Sequence, residues 1–304
     1  MPRKTASEYS VVSFGPALSD AHLGAVQRAV GDAGAQIVEL RNEEADGYVV
    51  TKLYVEFDGG IEVLRDAVTR AALAAAAGAG APAGTAVVPS SLLAEGRKLL
   101  VMDVDSTLIK QEVIELLAAH AGREAEVAAV TAAAMRGELD FAQSLHARVQ
   151  TLAGLPESVI AEVGGRIELS DGAEVLVHEF LAAGHAVAVV SGGFTQVLEP
   201  LAERLKLTRQ RANLLEIVDG RLTGRVSGAV VDRAVKARSL REWAAELDIG
   251  PDSTLAVGDG ANDLDMLSAA ALGVAFNAKP AVQAAADAVV NLPQLDVVRH
   301  FVQL

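Results

Sequence analysis

The feature that most constrains the fold is a short apolar run that ends in two acids, within residues 98–109, KLLVMDVDSTLI. Leu99–Met102 is continuously apolar, which is typical of a strand buried on both faces of a parallel sheet. Asp103 and Asp105 follow it directly. In an open α/β sheet the carboxyl ends of the strands border the crevice that binds ligands. Two carboxylates there have no role in packing, so we expect them to be functional.

The composition restricts the class of protein. Hydrophobic residues make up 51% of the 304 positions and charged residues 22%, which indicates a globular chain with a large core. The net charge of −14 argues against a general nucleic-acid surface or an anionic membrane surface, and an anionic substrate would need local cations. The chain has no cysteine, which excludes disulfides, thiolate metal sites and a cysteine nucleophile.

The sequence predicts a cytoplasmic protein that binds neither membranes nor nucleic acid. Residues 1–10 lack the apolar core of a signal peptide. No apolar run reaches ~18 residues, the length needed to span a membrane. The alanine-rich residues 71–81 contain two glycines and are too short for a span.

Residues 1–90 are predicted to form a small α+β domain in the order βαββαβ. The predicted strands are 9–14, 35–40, 48–57 and 85–88, and the predicted helices are 20–34 and 61–77. This order resembles the ACT regulatory domains that sense amino acids, although the loop 14–16 lacks the acidic–glycine spacing usual in that family. The resemblance implies a regulatory or dimerisation domain, a homodimer, and serine as an effector.

Residues 91–304 are predicted to form a second domain, after a linker rich in glycine and proline. Only helical patterns occur in residues 110–168, and an all-helical insert after the first strand is expected to cap the carboxyl end of that strand. Strands alternate with helices again beyond residue 168, which predicts a Rossmann-like parallel sheet. The predicted strands are 99–102, 186–190, 254–257, 273–276 and 288–291, with a hairpin at 214–226.

Two further strand ends carry groups suited to an anion. Ser191, Gly192 and Gly193 follow the second strand and precede a helix, so a hydroxyl and two backbone N–H groups form a potential anion site. An ordinary turn has the same composition. Lys236 lies in the first turn of a predicted helix, where a cation opposes the helix dipole at a cost of up to ~1 kcal/mol. It is either a solvated lysine or one retained for function.

The third strand end adds carboxylates. Asp259 directly follows the strand 254–257, which helix capping does not explain, whereas Asp263 is also compatible with a helix cap. Three carboxylates without thiols suit a hard ion such as Mg²⁺. A carboxylate such as Asp103 can attack phosphorus and form an aspartyl-phosphate. Asp105 can then act as general acid toward the leaving alkoxide and as base toward water.

Together these residues resemble the four motifs of the haloacid dehalogenase-like phosphatases, over residues 97–295. The motifs are Asp103-Val-Asp105-Ser-Thr, Ser191-Gly-Gly, Lys236 and Gly258-Asp259-Gly-Ala-Asn262-Asp263. The resemblance implies that Asp103 is the nucleophile and a Mg²⁺ ligand, that Asp105 is the acid/base and a ligand through its backbone carbonyl, and that Asp259 is a further ligand. It also implies phosphate binding by Ser191 and Lys236, with Asp263 behind the metal ligands. An aspartate at position 105 favours a phosphatase over the pumps of this superfamily, which have threonine there.

The predicted cap contains two charged residues on apolar faces. Arg148 shares a helix face with Phe141, Leu145 and Leu152, and either reaches solvent at the edge of that face or binds a carboxylate or phosphate in the crevice. Glu112 follows the first loop, where an acid would repel a phosphate but neutralise an ammonium group. An acid for an ammonium group, an arginine for a carboxylate and a phosphate site describe a phosphorylated amino acid.

The cap also resembles that of the phosphoserine phosphatase family, in the spacing of Glu112, Met135, Phe141 and Arg148 from the nucleophile. The resemblance implies that Glu112 binds the amino group and Arg148 the carboxylate. It further implies that Met135 and Phe141 close the pocket, although both also fit a plain core. Gly192, Gly193 and Asn262 are expected to help bind the substrate, Gly192 and Asn262 through its phosphate.

The expected function is therefore Mg²⁺-dependent hydrolysis of O-phosphoserine to serine and phosphate, the last step of serine biosynthesis. Two alternatives remain open from the residues. One is a related phosphatase for another small phosphomonoester. The other is an amino-acid sensor with vestigial catalysis.

Overall fold

The computed structural model describes residues 7–76, 82–135 and 138–304. Most of the predicted glycine-rich linker and the end of the predicted cap helix 124–137 lie outside these residues. The side chain of Met135 also lies outside the described part. No helix in the described residues is long and apolar enough to cross a membrane.

The N-terminal part of the chain has the predicted βαββαβ order. Its elements are β1 (Ser7–Gly15), α1 (Asp20–Asp32), β2 (Gln36–Ala45), β3 (Tyr48–Phe57), α2 (Ile61–Ala76) and β4 (Gly84–Val88). The four strands form an antiparallel sheet in the order β2-β3-β1-β4. Both helices pack on one face of it, over a cluster that includes Val11, Val26 and Leu64. Strand β2 extends beyond its predicted end at residue 40. It is an exposed edge strand, so its later residues have no apolar pattern from which they could be predicted.

The remainder of the chain forms a seven-stranded sheet in the order β11-β10-β9-β5-β6-β7-β8, parallel except for the hairpin strand β8. Its elements are α3 (Ser90–Leu93), β5 (Leu99–Met102), α4 (Val113–Ala121), α5 (Glu124–Met135), α6 (Phe141–Gln150), α7 (Ser158–Gly164), α8 (Ala173–Ala182), β6 (Ala186–Phe194), α9 (Thr195–Leu205), β7 (Arg209–Val218), β8 (Arg221–Ser227), α10 (Arg233–Glu246), β9 (Thr254–Gly258), α11 (Leu264–Ala269), β10 (Leu272–Phe276), α12 (Pro280–Gln283) and β11 (Ala288–Val290). The predicted α/β fold class is confirmed. Helices α8 and α11 were not predicted.

Strand β5 lies at the centre of the sheet and is fully buried, as its apolar run predicts. Leu100 and Met102 face a cluster that contains residues of α8 and α9. Leu99 and Val101 face a second cluster, formed with α10 and α11. The helices therefore cover both faces of the sheet, which leaves only its edges and strand ends open to other groups.

The helices α4–α7 form the predicted cap between β5 and α8. The two chain segments that enter and leave the cap meet in a bridge between Ile109 and Leu169. The hairpin β7–β8 supports the cap from the other side, where Gly154 donates a backbone hydrogen bond to the carbonyl of Leu222 (2.8 Å). Gly224, at φ +81°, allows this approach, because an added Cβ would lie 2.9 Å from that of Ala153. The support of the cap by the hairpin was not expected from the sequence.

The open face of the N-terminal sheet packs against the seven-stranded part of the molecule. Phe14 contacts Phe301 with ring centroids 5.9 Å apart, and both belong to the same buried cluster as β5. The hydroxyl of Tyr48, a residue only 2% exposed, donates to Asp296 Oδ2 (2.9 Å) and lies 3.2 Å from His300 Nε2. The interface thus combines apolar packing with a buried hydrogen bond.

We expect the substitution Tyr48→Phe to lower the free energy of unfolding by about 1–3 kcal/mol, because the buried Asp296 carboxylate loses its hydroxyl donor. Equilibrium denaturation in urea measures this change. Tyr54→Phe is the matched control, since the Tyr54 hydroxyl has no hydrogen-bond partner among the described residues and its ring packs under Arg41. Equal losses in the two variants would contradict the role of the Tyr48 hydroxyl.

Candidate active site

Three neighbouring strands bring the predicted motifs together. Met102 in β5 pairs with Val189 in β6 and with Val257 in β9, so these three residues lie at the same level of the sheet. The residues that follow them border a cavity of about 570 Å³ beneath the cap. The predicted site residues that line it are Asp103, Asp105, Glu112, Phe141, Arg148, Gly192, Gly193, Asp259 and Asn262. Ser191, Lys236 and Asp263 lie in the buried layer below.

Lys236 is completely buried at the floor of the site, which rules out a solvated lysine. Its Nζ lies 2.7 Å from Asp103 Oδ1 and donates to Asp263 Oδ1 at 2.7 Å. Burial lowers the pKa of Lys236, but the two carboxylates outweigh this effect, so its pKa is raised and the ammonium group is retained. Helix α10 thus supplies a permanent cation beside Asp103.

Asp105 is held by donors from two different elements. Its Oδ1 accepts the backbone N–H of Val113, at the start of the cap helix α4, and its Oδ2 accepts the hydroxyl of Ser191 (2.7 and 3.0 Å). Burial raises the pKa of Asp105, and these hydrogen bonds act in the opposite direction. A raised pKa favours the protonated form that a general acid requires.

Residues 191–193 lie in the irregular last part of β6, and they differ in one respect from their prediction. Ser191 Oγ accepts the N–H of Gly193 (2.7 Å), so this N–H is not free for an anion, contrary to the sequence prediction. Position 193 leaves no space for a side chain, because a Cβ atom added to Gly193 would lie 2.8 Å from Asp105 Oδ2. The carbonyl of Gly192 accepts a hydrogen bond from Asn213 Nδ2 (2.8 Å), which fixes this part of β6 against β7.

A cluster of three carboxylates provides a candidate metal site. Oxygen atoms of Asp103, Asp259 and Asp263 all lie within 4.8 Å of one another. Burial and the neighbouring Asp263 raise the pKa of Asp103 well above its usual value, and burial raises that of Asp259 to about 6. Lys236 balances only part of this buried negative charge. An all-oxygen donor set with excess negative charge fits a hard divalent cation such as Mg²⁺.

Asp263 has other partners within this cluster. One of its oxygens accepts from Lys236, and the other accepts the N–H of Gly260 (3.0 Å). Its side chain makes no capping hydrogen bond to α11, but its bond to the N–H of Gly260 caps the short 3-10 turn Ala261–Asp263. The helix-cap interpretation therefore describes part of its role. These contacts suit a residue that holds Lys236 and the β9 loop in place behind the cluster.

Glu112 lies at the start of the cap, in the cavity wall. Its Oε1 accepts the hydroxyl of Ser106 (2.7 Å), a residue held in the left-handed region at φ +57°. This conformation costs a non-glycine residue about 1 kcal/mol or more. Burial raises the pKa of Glu112 to about 7, and the negative charge of Asp105 contributes in the same direction. A cationic group in the cavity would favour its ionised form.

Arg148 and Phe141 place helix α6 against the cavity. Arg148 has no carboxylate within ion-pair distance among the described residues, and its Nε donates to the carbonyl of Ser144 (3.3 Å). Burial lowers its pKa, but a guanidinium group still stays charged. The ring of Phe141 closes the space above Gly192, where an added Cβ would lie 3.0 Å from Cζ. Arg148 therefore belongs to the cavity wall, not to an exposed helix margin.

The sequence analysis did not assign a role to three polar residues of the site. Thr107 donates to Asp259 Oδ1 (3.3 Å), and Asn213 links the Gly192 carbonyl to the N–H of Val231. Ser144 lines the cavity on α6. Thr107 could have been found as part of the Asp103 motif, whereas Asn213 and Ser144 have no distinctive spacing.

Comparison with known proteins agrees with this geometry. Residues 100–268 match the sequence profile of the haloacid dehalogenase-like hydrolases. Phosphoserine phosphatase of Streptomyces coelicolor is 61% identical over 215 residues, which are 71% of this chain and 52% of that protein, so the chain spans about half the length of this relative. Phosphoserine phosphatase SerB2 of Mycobacterium tuberculosis is 45% identical over 295 residues, 96% of this chain and 70% of that protein.

A solved structure extends the similarity to the N-terminal sheet. The crystal structure of a probable phosphoserine phosphatase from Vibrio cholerae superimposes with a TM-score of 0.75 at 36% identity, covering 96% of this chain and 85% of that one. The similarity to that structure therefore includes both sheets of this chain. The chain therefore belongs to the phosphoserine phosphatase family of the haloacid dehalogenase-like hydrolases.

Proposed function

We propose that this chain hydrolyses O-phospho-L-serine to L-serine and phosphate with bound Mg²⁺, in the final step of serine biosynthesis. The observation that supports this substrate is the presence of Glu112 and Arg148 in the same cavity as Asp103 and Asp105. One acid and one arginine match the ammonium and carboxylate groups of an amino acid. The names of the relatives support the same substrate.

In the first step, Asp103 attacks the phosphorus atom and the bond from phosphorus to the serine oxygen breaks. Asp105 donates its proton to that oxygen, so serine leaves as an alcohol and an aspartyl-phosphate remains on Asp103. Asp105 then accepts a proton from a water molecule, which attacks the phosphorus atom. Phosphate leaves and the Asp103 carboxylate is restored.

The residues proposed to hold Mg²⁺ are the carboxylates of Asp103 and Asp259 and the backbone carbonyl of Asp105. When bound, the cation stabilises the negative charge of the transferring phosphoryl group. Lys236 keeps the Asp103 carboxylate in place and contributes positive potential. We assign phosphate binding to Ser191, Gly192, Lys236 and Asn262, with Gly193 next to them at the substrate.

In the cap, we assign the ammonium group of the substrate to Glu112 and its carboxylate to Arg148. The ring of Phe141, the first residue of α6, packs next to Gly192, where it can exclude water from a bound substrate. Met135 is proposed to do the same, and this role stays a prediction from the sequence.

The N-terminal residues 1–90 are proposed to form a regulatory and dimerisation domain, and residues 91–304 the phosphatase domain. The βαββαβ order of the first part and the exposed edge strand β2 support this assignment. We propose a homodimer, serine as an effector and a cytoplasmic location.

We expect the protein to release phosphate from phosphoserine in the presence of Mg²⁺ and to lose this activity with EDTA. Asp103→Asn is expected to lower kcat by about 10³-fold or more, because an amide cannot form the aspartyl-phosphate. The fold should persist, since Lys236 keeps its ion pair with Asp263. Glu115→Gln, the same change at a cavity residue without an assigned role, is the control. Near-normal turnover in Asp103→Asn would refute the mechanism.

Arg148→Ala is expected to raise KM for phosphoserine by about 100-fold, because a charged hydrogen-bonded pair is lost. KM for a small aryl phosphate, which has no carboxylate, should change little. Steady-state kinetics on both substrates measure the difference. Equal losses on the two would show that Arg148 is structural or binds phosphate, and would favour another small phosphomonoester as substrate.

Sedimentation velocity is expected to give a mass of twice the 31.4 kDa chain. Calorimetry with serine on the Asp103→Asn variant of the 304-residue chain is expected to detect a binding site. This site should persist when Arg148 is also replaced by alanine, since the effector would bind outside the cavity. A monomer would contradict the dimer. Loss of all serine binding in the double variant would contradict the effector role of the N-terminal domain.

A further inference from the structure

Ser144 presents an unusual hydroxyl to the active-site cavity. The residue is 4% exposed and lines the cavity from the middle of α6. Its hydroxyl makes no hydrogen bond to any residue that the structure describes, and the carbonyl of Asp140, one turn earlier, accepts the backbone N–H of Ser144 instead (2.9 Å). Ser239, a buried serine in α10, does bond the carbonyl one turn earlier, that of Val235 (2.8 Å).

The hydroxyl is not one of the completely buried side-chain atoms without a partner, so it is reachable from the cavity. Because it has no protein partner, it adds no internal hydrogen bond to the fold that a methyl group would lack. Alanine would also favour the helix more than serine does. Neither packing nor helix formation therefore explains a serine at this position. A ligand in the cavity that accepts its hydrogen bond would.

The neighbour of this hydroxyl indicates what the ligand group is. Arg148 lies one turn later on the same face of α6, and its Nε donates to the backbone carbonyl of Ser144 (3.3 Å). The guanidinium group is therefore folded back over the turn that contains Ser144. Its terminal N–H groups have no hydrogen-bond acceptor among the described residues. A hydroxyl and a guanidinium group side by side are two donors that match the two oxygens of one carboxylate.

We propose that the Ser144 hydroxyl donates a hydrogen bond to the substrate carboxylate, next to Arg148, and is a specificity-determining residue. This inference rests on the proposed phosphoserine phosphatase function. With the ammonium group at Glu112 and the phosphate at Asp103, a carboxylate held by two donors fixes the orientation of the α-carbon. Ser144 therefore contributes to the choice of an α-amino acid phosphate over a phosphomonoester that lacks the carboxylate.

The test is the substitution Ser144→Ala, measured on phosphoserine and on phosphoethanolamine, which has the same phosphate and ammonium groups but no carboxylate. We expect KM for phosphoserine to rise about tenfold, the loss of one hydrogen bond to a charged group, with kcat within twofold. KM for phosphoethanolamine should stay unchanged. Ser158→Ala, the same change at an exposed position of cap helix α7, is the control and should alter neither substrate.

A second measurement separates binding from a structural role. In the background Arg148→Ala, the additional effect of Ser144→Ala on KM for phosphoserine should shrink, because the carboxylate is no longer held beside the hydroxyl. The melting temperature of Ser144→Ala should equal or exceed that of the parent, since no internal hydrogen bond is lost.

Three results would overturn the inference: an unchanged KM for phosphoserine, an equal rise of KM on both substrates, or a lowered melting temperature that reveals an internal partner. The failure of the proposed function is a different result. In that case the parent protein itself would not hydrolyse phosphoserine.

Discussion

The site depends on the buried ion pairs of Lys236 with Asp103 and Asp263. Both carboxylates lie where strands of the central sheet end, and both are almost completely removed from solvent. A buried carboxylate without a cation would be protonated or would destabilise the fold by about 3–5 kcal/mol. Lys236 sits in the first turns of α10 despite the unfavourable helix dipole, because its charge is needed below the strand ends. The lysine thus allows acidic residues to be buried at the candidate active site.

The core and the cap have separate tasks, but one residue connects them. In the proposed function, the strand ends supply the groups for phosphoryl transfer, and the cap supplies Glu112, Ser144 and Arg148 for the rest of the substrate. Asp105 belongs to the core, yet it accepts the backbone N–H of Val113, the first residue of the first cap helix. The position of the proposed proton donor is therefore coupled to the position of the cap.

The sequence predicted which strand-end residues lie together, because the position of a residue at the end of a parallel strand is a local property. An apolar run followed by Asp103 or Asp259 places the carboxylate at the strand end whatever surrounds it. The cap was harder to predict. Arg148 was equally compatible with a helix margin, and only the packing of α6 over the cavity placed it in the wall. Asn213 was not found, because its role depends on the approach of β7 to the irregular part of β6 at Gly192, which is not adjacent in the sequence.

By itself, the sequence determined the order of the elements, the buried strand β5 and the acidic groups around it, since hydrophobic periodicity and strand-end residues are read from consecutive positions. The tertiary structure alone decided that the Gly193 N–H is used by Ser191 and that Lys236 is buried between two carboxylates. It also decided that the Ser144 hydroxyl faces the cavity without a partner. The ion pair of Asp103 and Lys236 joins residues 133 positions apart, and only the packing of α10 against the sheet brings their side chains within 3 Å.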